Sequence, residues 1–292
     1  MRGNAEGDGR LAVARCPAPH RRAKRSHLWV YWQLARAGFK RQAQYKLAMF
    51  AGLFTNCVFG FVRAAVMVAA VRSAGGNFGG YDEGTIGAYV WLSQGLLGAT
   101  QFMGPPIDLV DRIKSGDVAI DFLRPVDVQL GYLASDMGRA ACAFLPRGIP
   151  SVLVGAATFG LAMPTSPLSY VLGLISVLLA VALSFLCLFA VALLGFWVVE
   201  IRGFRVLYQI VGTFLAGLFV PVHMFPNWLA TIAHATPFPS ILQAPIDTLS
   251  GRISGGEAVT TVAAQAFWVI AIALLGRVML RAGRRRLEIQ GG

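Results

Sequence analysis

The chain has 292 residues, 56% of them hydrophobic and 14% charged, with a mean hydropathy of +0.61. Soluble domains carry charge at about a quarter of their positions, so this composition excludes an ordinary soluble enzyme or binding module and describes a membrane protein. The formal net charge of +12 does not mark a nucleic-acid surface, because Arg and Lys crowd the chain ends and the links between apolar runs instead of one face.

Residues 1–28 mix Gly, Pro, Arg and Ala without apolar periodicity and are expected as a disordered basic tail, since they cannot bury enough surface to offset the entropy of ordering. Arg21, Arg22, Lys24 and Arg25 precede no short apolar run with a small-residue cleavage site, so no secretory signal peptide is expected. Over residues 29–46, Trp29, Trp32, Leu34, Phe39 and Tyr45 are interspersed with Arg36, Lys40, Arg41 and Lys46. This pattern suits an amphipathic helix in the cytoplasmic interface, rings at headgroup level and basic tips toward anionic lipid. The alternative is the solvated start of the first span.

Six spans are expected at 47–71, 85–103, 141–162, 168–198, 206–224 and 257–280, each near the ~20 residues that cross a hydrocarbon core of about 30 Å. Together, 47–280 reads as one all-α, polytopic membrane domain, with residues 281–292 as a basic tail. The fourth span carries no charge. The third is irregular: Asp136, Arg139 and Arg147 crowd its start and Pro146 and Pro150 predict a kink, so a short amphipathic helix is expected before the true span. With the N-terminus in the cytoplasm, 23 of the 26 Lys and Arg fall inside, Arg72 and Arg252 outside, and Arg63 within the first span. That asymmetry predicts both termini and the link 104–130 to be cytoplasmic. Arg63 either snorkels to the outer interface or faces the bundle interior near a substrate path. Phe50, Phe54, Phe59 and Phe61 of the first span and Phe214 and Phe219 of the fifth are candidates for an apolar substrate surface; lipid-facing or packed positions are the alternative.

Several chemistries lack their residues. Cys16, Cys57, Cys142 and Cys187 lie far apart without CxxC spacing and read as packing residues. The chain has no GxxxxGK[ST] loop to cradle a nucleotide, and no HExxH; His20, His27, His223 and His234 are scattered. Asp108, Asp111, Asp117 and Asp121 raise a metal-dependent lipid transferase as an alternative. However, Arg112 stands where such motifs place Gly, and Ser115-Gly116 separates the two Asp pairs.

The link itself, "DLVDRIKSGDVAIDFLRPVD", reads as two short helices. Ile107, Val110 and Ile113 fall on one stripe, with Asp108, Asp111 and Arg112 turned elsewhere. Pro105 and Pro106 suit the helix start, and Gly116 its left-handed end. Asp117 is expected to cap the second turn through its side chain, and Arg124-Pro125 to close it. An exposed, rigid element of mixed charge suits the docking of a soluble partner.

"IKSGDVAIDFLRPVD" resembles the intracellular segment of the ABC-2 type permeases, in the branch of paired bacterial exporter permeases that includes viologen-type exporter subunits. "TPFPSILQAPIDTLSG", with Pro237, Phe238, Pro245 and Gly251, is similar to the same branch. The resemblance runs from about Trp29 onward. It implies an inner-membrane, multi-pass exporter subunit that dimerises with itself or a sister permease and binds two copies of a separate ABC ATPase. ATP and Mg would sit on that ATPase, leaving this chain without a cofactor, a metal or catalytic residues. Ile107, Asp108, Asp111, Arg112, Ile113, Gly116, Asp117, Asp121, Arg124 and Pro125 would then form the ATPase-coupling element. "IRGFR" at 201–205 would be a second cytoplasmic contact, and the link 225–256 would hold two short external half-helices. Arg63, Phe54, Phe214 and Phe219 are the candidate substrate path, and lipids are the other expected partner. An ion-driven secondary transporter is a further alternative, weakened because only Asp136 and Glu200 approach the membrane core.

Overall fold

A computed structural model describes residues 27–102, 104, 107–160 and 166–290. The expected N-terminal tail up to residue 26 and the Pro105-Pro106 helix start lie outside them. Among the described residues all regular structure is helical, and no strand is present.

The amphipathic segment forms α1 (His27–Ala43). Beyond any role at a lipid surface, it is clamped to α6 (described below) by small residues: a Cβ on Gly38 would collide with the Ser135 carbonyl, and one on Gly138 with that of Ala35. This is the small-residue route to close helix approach inside a membrane. α2 (Lys46–Ser73) buries Asn56, Gly60, Ala64, Val68 and Val71, a single stripe at spacings of three and four, and turns the rest of its apolar surface outward. α3 (Glu83–Leu97) begins at a capping box in which the Asp82 carboxylate accepts from the Thr85 amide and the Thr85 hydroxyl accepts from the Asp82 amide. It is buried on every side from Ile86 to Leu96, as a central helix must be.

The charged link expected at 104–130 folds as α4 (Leu109–Ser115) and α5 (Val118–Leu123). α6 (Val128–Ala143) then runs through a π turn, Phe144–Gly148, into α7 (Ile149–Phe159). The third span is therefore not a helix preceded by a separate amphipathic one. It is a continuous rod over 128–159, because Pro146 and Pro150 are absorbed by the wider turn, where the Ile149 amide reaches the Phe144 carbonyl. α8 (Pro167–Leu193) is the axle of the fold: Leu183, Phe185, Leu186, Phe189 and Leu193 are all buried. α9 (Arg202–Leu215) is followed by α10 (Asn227–His234), α11 (Gln243–Leu249) and the long α12 (Gly255–Gln290), which lies along α8 and is tied to it by Ser176 donating to Gln265, 2.7 Å.

Lys46–Ser73, Val128–Phe159, Pro167–Phe196 and Gly255–Arg286 are long and apolar enough to cross a membrane. The segments expected at 85–103 and 206–224 hold shorter helices. α3 stops at Gly98, although Ala99–Phe102 stay buried behind it, and α9 breaks at Gly217, whose φ of +88° is open mainly to glycine. Cys57, Cys142 and Cys187 are unpaired, the last two buried.

Candidate functional site

Two places gather the charged residues of this apolar chain. The first is the link between α3 and α6. Ile107, Val110 and Ile113 form the expected buried stripe with Leu109, and Ile113 rests 3.7 Å from where a Cβ on Gly195 would lie, at the end of α8. Gly116 takes the left-handed conformation, φ +82°, and Arg124 turns extended before Pro125. Asp117 departs from expectation. Its side chain does not cap α5; it accepts from the Ser115 hydroxyl at 2.9 Å, because the backbone at 117 is already helical and points the carboxylate back across the turn.

The remaining charges are committed to geometry. The Arg112 guanidinium donates to both oxygens of the buried Asp121, 2.7 and 3.0 Å, and to the Asp117 carbonyl at 3.2 Å. That hydrogen bonding to Asp121 holds Arg112 above its already high ordinary range. Arg124 joins Asp121 at 3.4 Å. Asp108 pairs with Arg41 of α1 at 2.7 Å, and Lys114 with Glu200, ahead of the second link, at 3.3 Å. Arg205 of that second link donates to the Gly104 carbonyl at 2.6 Å. Asp111 is exposed, on the rim of a cavity of about 510 Å³ between α1, α6 and this element. Asp108, Asp117 and Asp121 have separate partners, and among the described residues no group of three or more His, Cys, Asp or Glu is placed to hold a metal. What α5 shows to solvent is apolar: Ile120 is 53% and Leu123 84% exposed.

The second place is a cavity of about 350 Å³ between α2, α3 and the π turn. Arg63 does not snorkel outward. Its guanidinium turns into the bundle, donating to the Ser93 hydroxyl at 3.1 Å and to the Leu218 carbonyl, which the break after α9 leaves without a helical donor. Arg147 reaches the Asn56 side chain at 3.1 Å, and Asn56 in turn donates to the Gln94 carbonyl at 3.1 Å. Arg139 pairs with Asp136 at 2.5 Å, an ion pair that also takes the Gln101 amide. Each unpaired guanidinium at membrane depth costs about 2.5–3.5 kcal/mol on an insertion scale. Phe219 and Phe59 line this cavity, whereas Phe54 faces outward from α2 and Phe214 stacks on Phe225 with ring centroids 5.3 Å apart. Asn56 and Gln94 were not singled out in the sequence, and Arg147 was read only as a charge at the start of the third span; the usable signal was an Arg between two prolines inside an apolar run.

The link after α9 is anchored from below. Gln243 donates to the Tyr81 hydroxyl at 3.0 Å and to Asp247 at 2.9 Å, and accepts from the Tyr89 hydroxyl at 2.8 Å and the Val222 amide at 2.9 Å. Asp247, a buried carboxylate that sequence reasoning passed over, also holds His223 at 2.9 Å. Gln243 and Asp247 sit at i and i+4 on α11 within "ILQAPIDTLSG", so this buried network is what that segment builds.

Apolar helices of spanning length, a polar cavity between them and a charged helical link at one end define a membrane transport protein. Residues 60–291 match the family model described as ABC-2 family transporter protein, and the chain belongs to that family. Permeases of this family generally work with an ATPase subunit. No curated protein shows a significant match to the chain.

Proposed function

We propose that the chain is the permease subunit of an ATP-driven exporter of the inner membrane, moving an amphipathic or hydrophobic solute with energy from a separate ATPase. A second permease, identical or a sister chain, completes the pathway. The chain itself catalyses no reaction and binds no cofactor. In this reading α3 with its buried extension to Phe102, and α9 with the segment after it, complete six crossings, and both termini are cytoplasmic in keeping with the distribution of Arg and Lys.

The observation that carries the proposal is the α4–α5 element. It is internally braced by Arg112–Asp121, seated through Ile113 on the end of α8, and apolar on its free face at Ile120 and Leu123. A partner that presses on α5 therefore acts on α8, the most buried of the four long helices. Rigid-body switching needs such a stiff connection between the site of nucleotide-driven closure and the bundle.

Affinity purification of the tagged chain from its host membrane should recover a soluble ATPase, and transport should stop on ATP depletion. Recovery of no ATPase, together with export that persists without ATP, would sink the proposal in favour of an ion-coupled transporter. Asp117→Lys and Arg124→Glu should each uncouple export while leaving insertion intact; unchanged export in both would remove the link from the mechanism.

A further inference from the structure

We propose that the cavity between α2, α3 and the π turn recognises an anionic group, the phosphate or carboxylate head of an amphiphile, through Arg63 and Arg147. The binding claim stands on the cavity alone; naming the ligand as cargo rests on the permease reading.

Charge balance carries the inference. Of the three guanidinium groups that line the cavity, Arg139 is neutralised by Asp136. Arg63 and Arg147 have only neutral partners, the Ser93 hydroxyl and Leu218 carbonyl for one and the Asn56 amide oxygen for the other. Among the described residues no Asp or Glu lines the cavity, and the Nε atoms of both arginines are buried without an acceptor. Hydrogen bonds to neutral groups satisfy donors but leave the charge, and a partly buried charge without a counter-charge is costly, so an anion that supplies one is favoured.

The site is also built for its charge. The π turn swings Arg147 inward, and Gly52 makes room for it: a Cβ there would lie 2.6 Å from the Arg147 Nε. A volume of about 350 Å³ accommodates a headgroup with the first carbons of a chain, and the half-exposed rings of Phe59 and Phe219 flank it as apolar surface for the remainder. A purely structural Arg63 would need only a donor for the Leu218 carbonyl, which Gln also supplies.

The test uses the full chain in an uncharged detergent, with binding read by thermal shift and calorimetry against dodecyl phosphate, dodecyltrimethylammonium and inorganic phosphate. Dodecyl phosphate should bind at least about tenfold tighter than the cationic amphiphile, and Arg63→Gln and Arg147→Gln should each weaken it about tenfold, the scale of one charge-assisted hydrogen bond. Arg147→Lys should retain most of the binding. Binding of inorganic phosphate alone would point to a free anion as the source. Phosphatidylglycerol retained through purification, seen by native mass spectrometry and lost in the double Gln variant, would point to a lipid headgroup.

Equal binding of the two amphiphiles, or dodecyl phosphate binding unchanged in the double variant, would overturn the proposal. If the variants fail to fold, the ranking of the two amphiphiles on the unaltered chain decides by itself. These measurements need no ATP, so a missing ATPase would overturn the exporter reading and leave charge selectivity standing. Charge-blind binding by a chain that carries its ATPase would overturn this inference alone.

Discussion

Asp121 is 7% exposed, accepts twice from Arg112 and forms an ion pair with Arg124. Replacing it with Asn preserves shape but leaves two guanidinium groups facing each other without a counter-charge. Asp121→Asn should therefore loosen α4–α5 by about 1–3 kcal/mol, read as faster amide exchange over residues 109–123 with the spanning helices unaffected. Unchanged protection there would show that Ser115, Gly116 and the buried stripe brace the element without the ion pair. Gly138 sets a different limit. With the Ala35 carbonyl where its Cβ would be, Gly138→Val separates α1 from α6 and should cost about 3 kcal/mol, the upper end of the usual overpacking range. Thermal unfolding in detergent measures it, and a Tm within a degree of the parent protein would mean that α1 is not part of the folded unit.

Between elements, the tether from Lys114 to Glu200 joins the two charged links at 3.3 Å. The Arg202 amide and the Lys114 ammonium hold the Glu200 carboxyl below the usual carboxylate range. A depressed folded-state value means that the tether is fully formed above the unfolded Glu value of about 4.3 and is lost as pH falls through the lower folded value. Labels on the two links should thus keep a constant separation across the neutral range, and Glu200→Gln should produce at neutral pH the separation that the parent shows only in acid. Which parts of this were readable beforehand follows from locality. Gly116 and Arg124-Pro125 act through their own φ and ψ, so the breaks around α4 and α5 could be placed from the sequence. Asp117 failed as a cap because the cap depends on the dihedral of a residue whose neighbours, Ser115 and Arg112, compete for it. The inward aim of Arg147 was not readable at all: it needs a π turn, a glycine on another helix and an asparagine 91 positions away.

For the molecule as a whole, hydropathy placed the four long apolar helices and overran the ends of α3 and α9. α8 carries an uninterrupted apolar run and α12 a long one, so their spans were legible, whereas α3 is surrounded by protein and released from the length that lipid imposes, and α9 breaks at Gly217. The proposed six crossings make a prediction about sides. Val199 is 88% exposed just ahead of the second link, and Trp228 is 66% exposed on α10. If α9 and the segment after it carry the chain across the membrane, these two positions lie on opposite faces although only 29 residues separate them in the sequence. With Cys16 and Cys57 replaced by Ser, and Cys142 and Cys187 left in place because they are buried, Trp228→Cys should react with an impermeant maleimide in intact cells. Val199→Cys should react only after permeabilisation. The reverse pattern would invert the topology and put the Arg112–Asp121 element outside, where no nucleotide-driven partner reaches it. Reaction of both in intact cells would mean that α9 does not complete a crossing. In that case five crossings remain, the two links share the outer face, and the chain's ends lie on different sides.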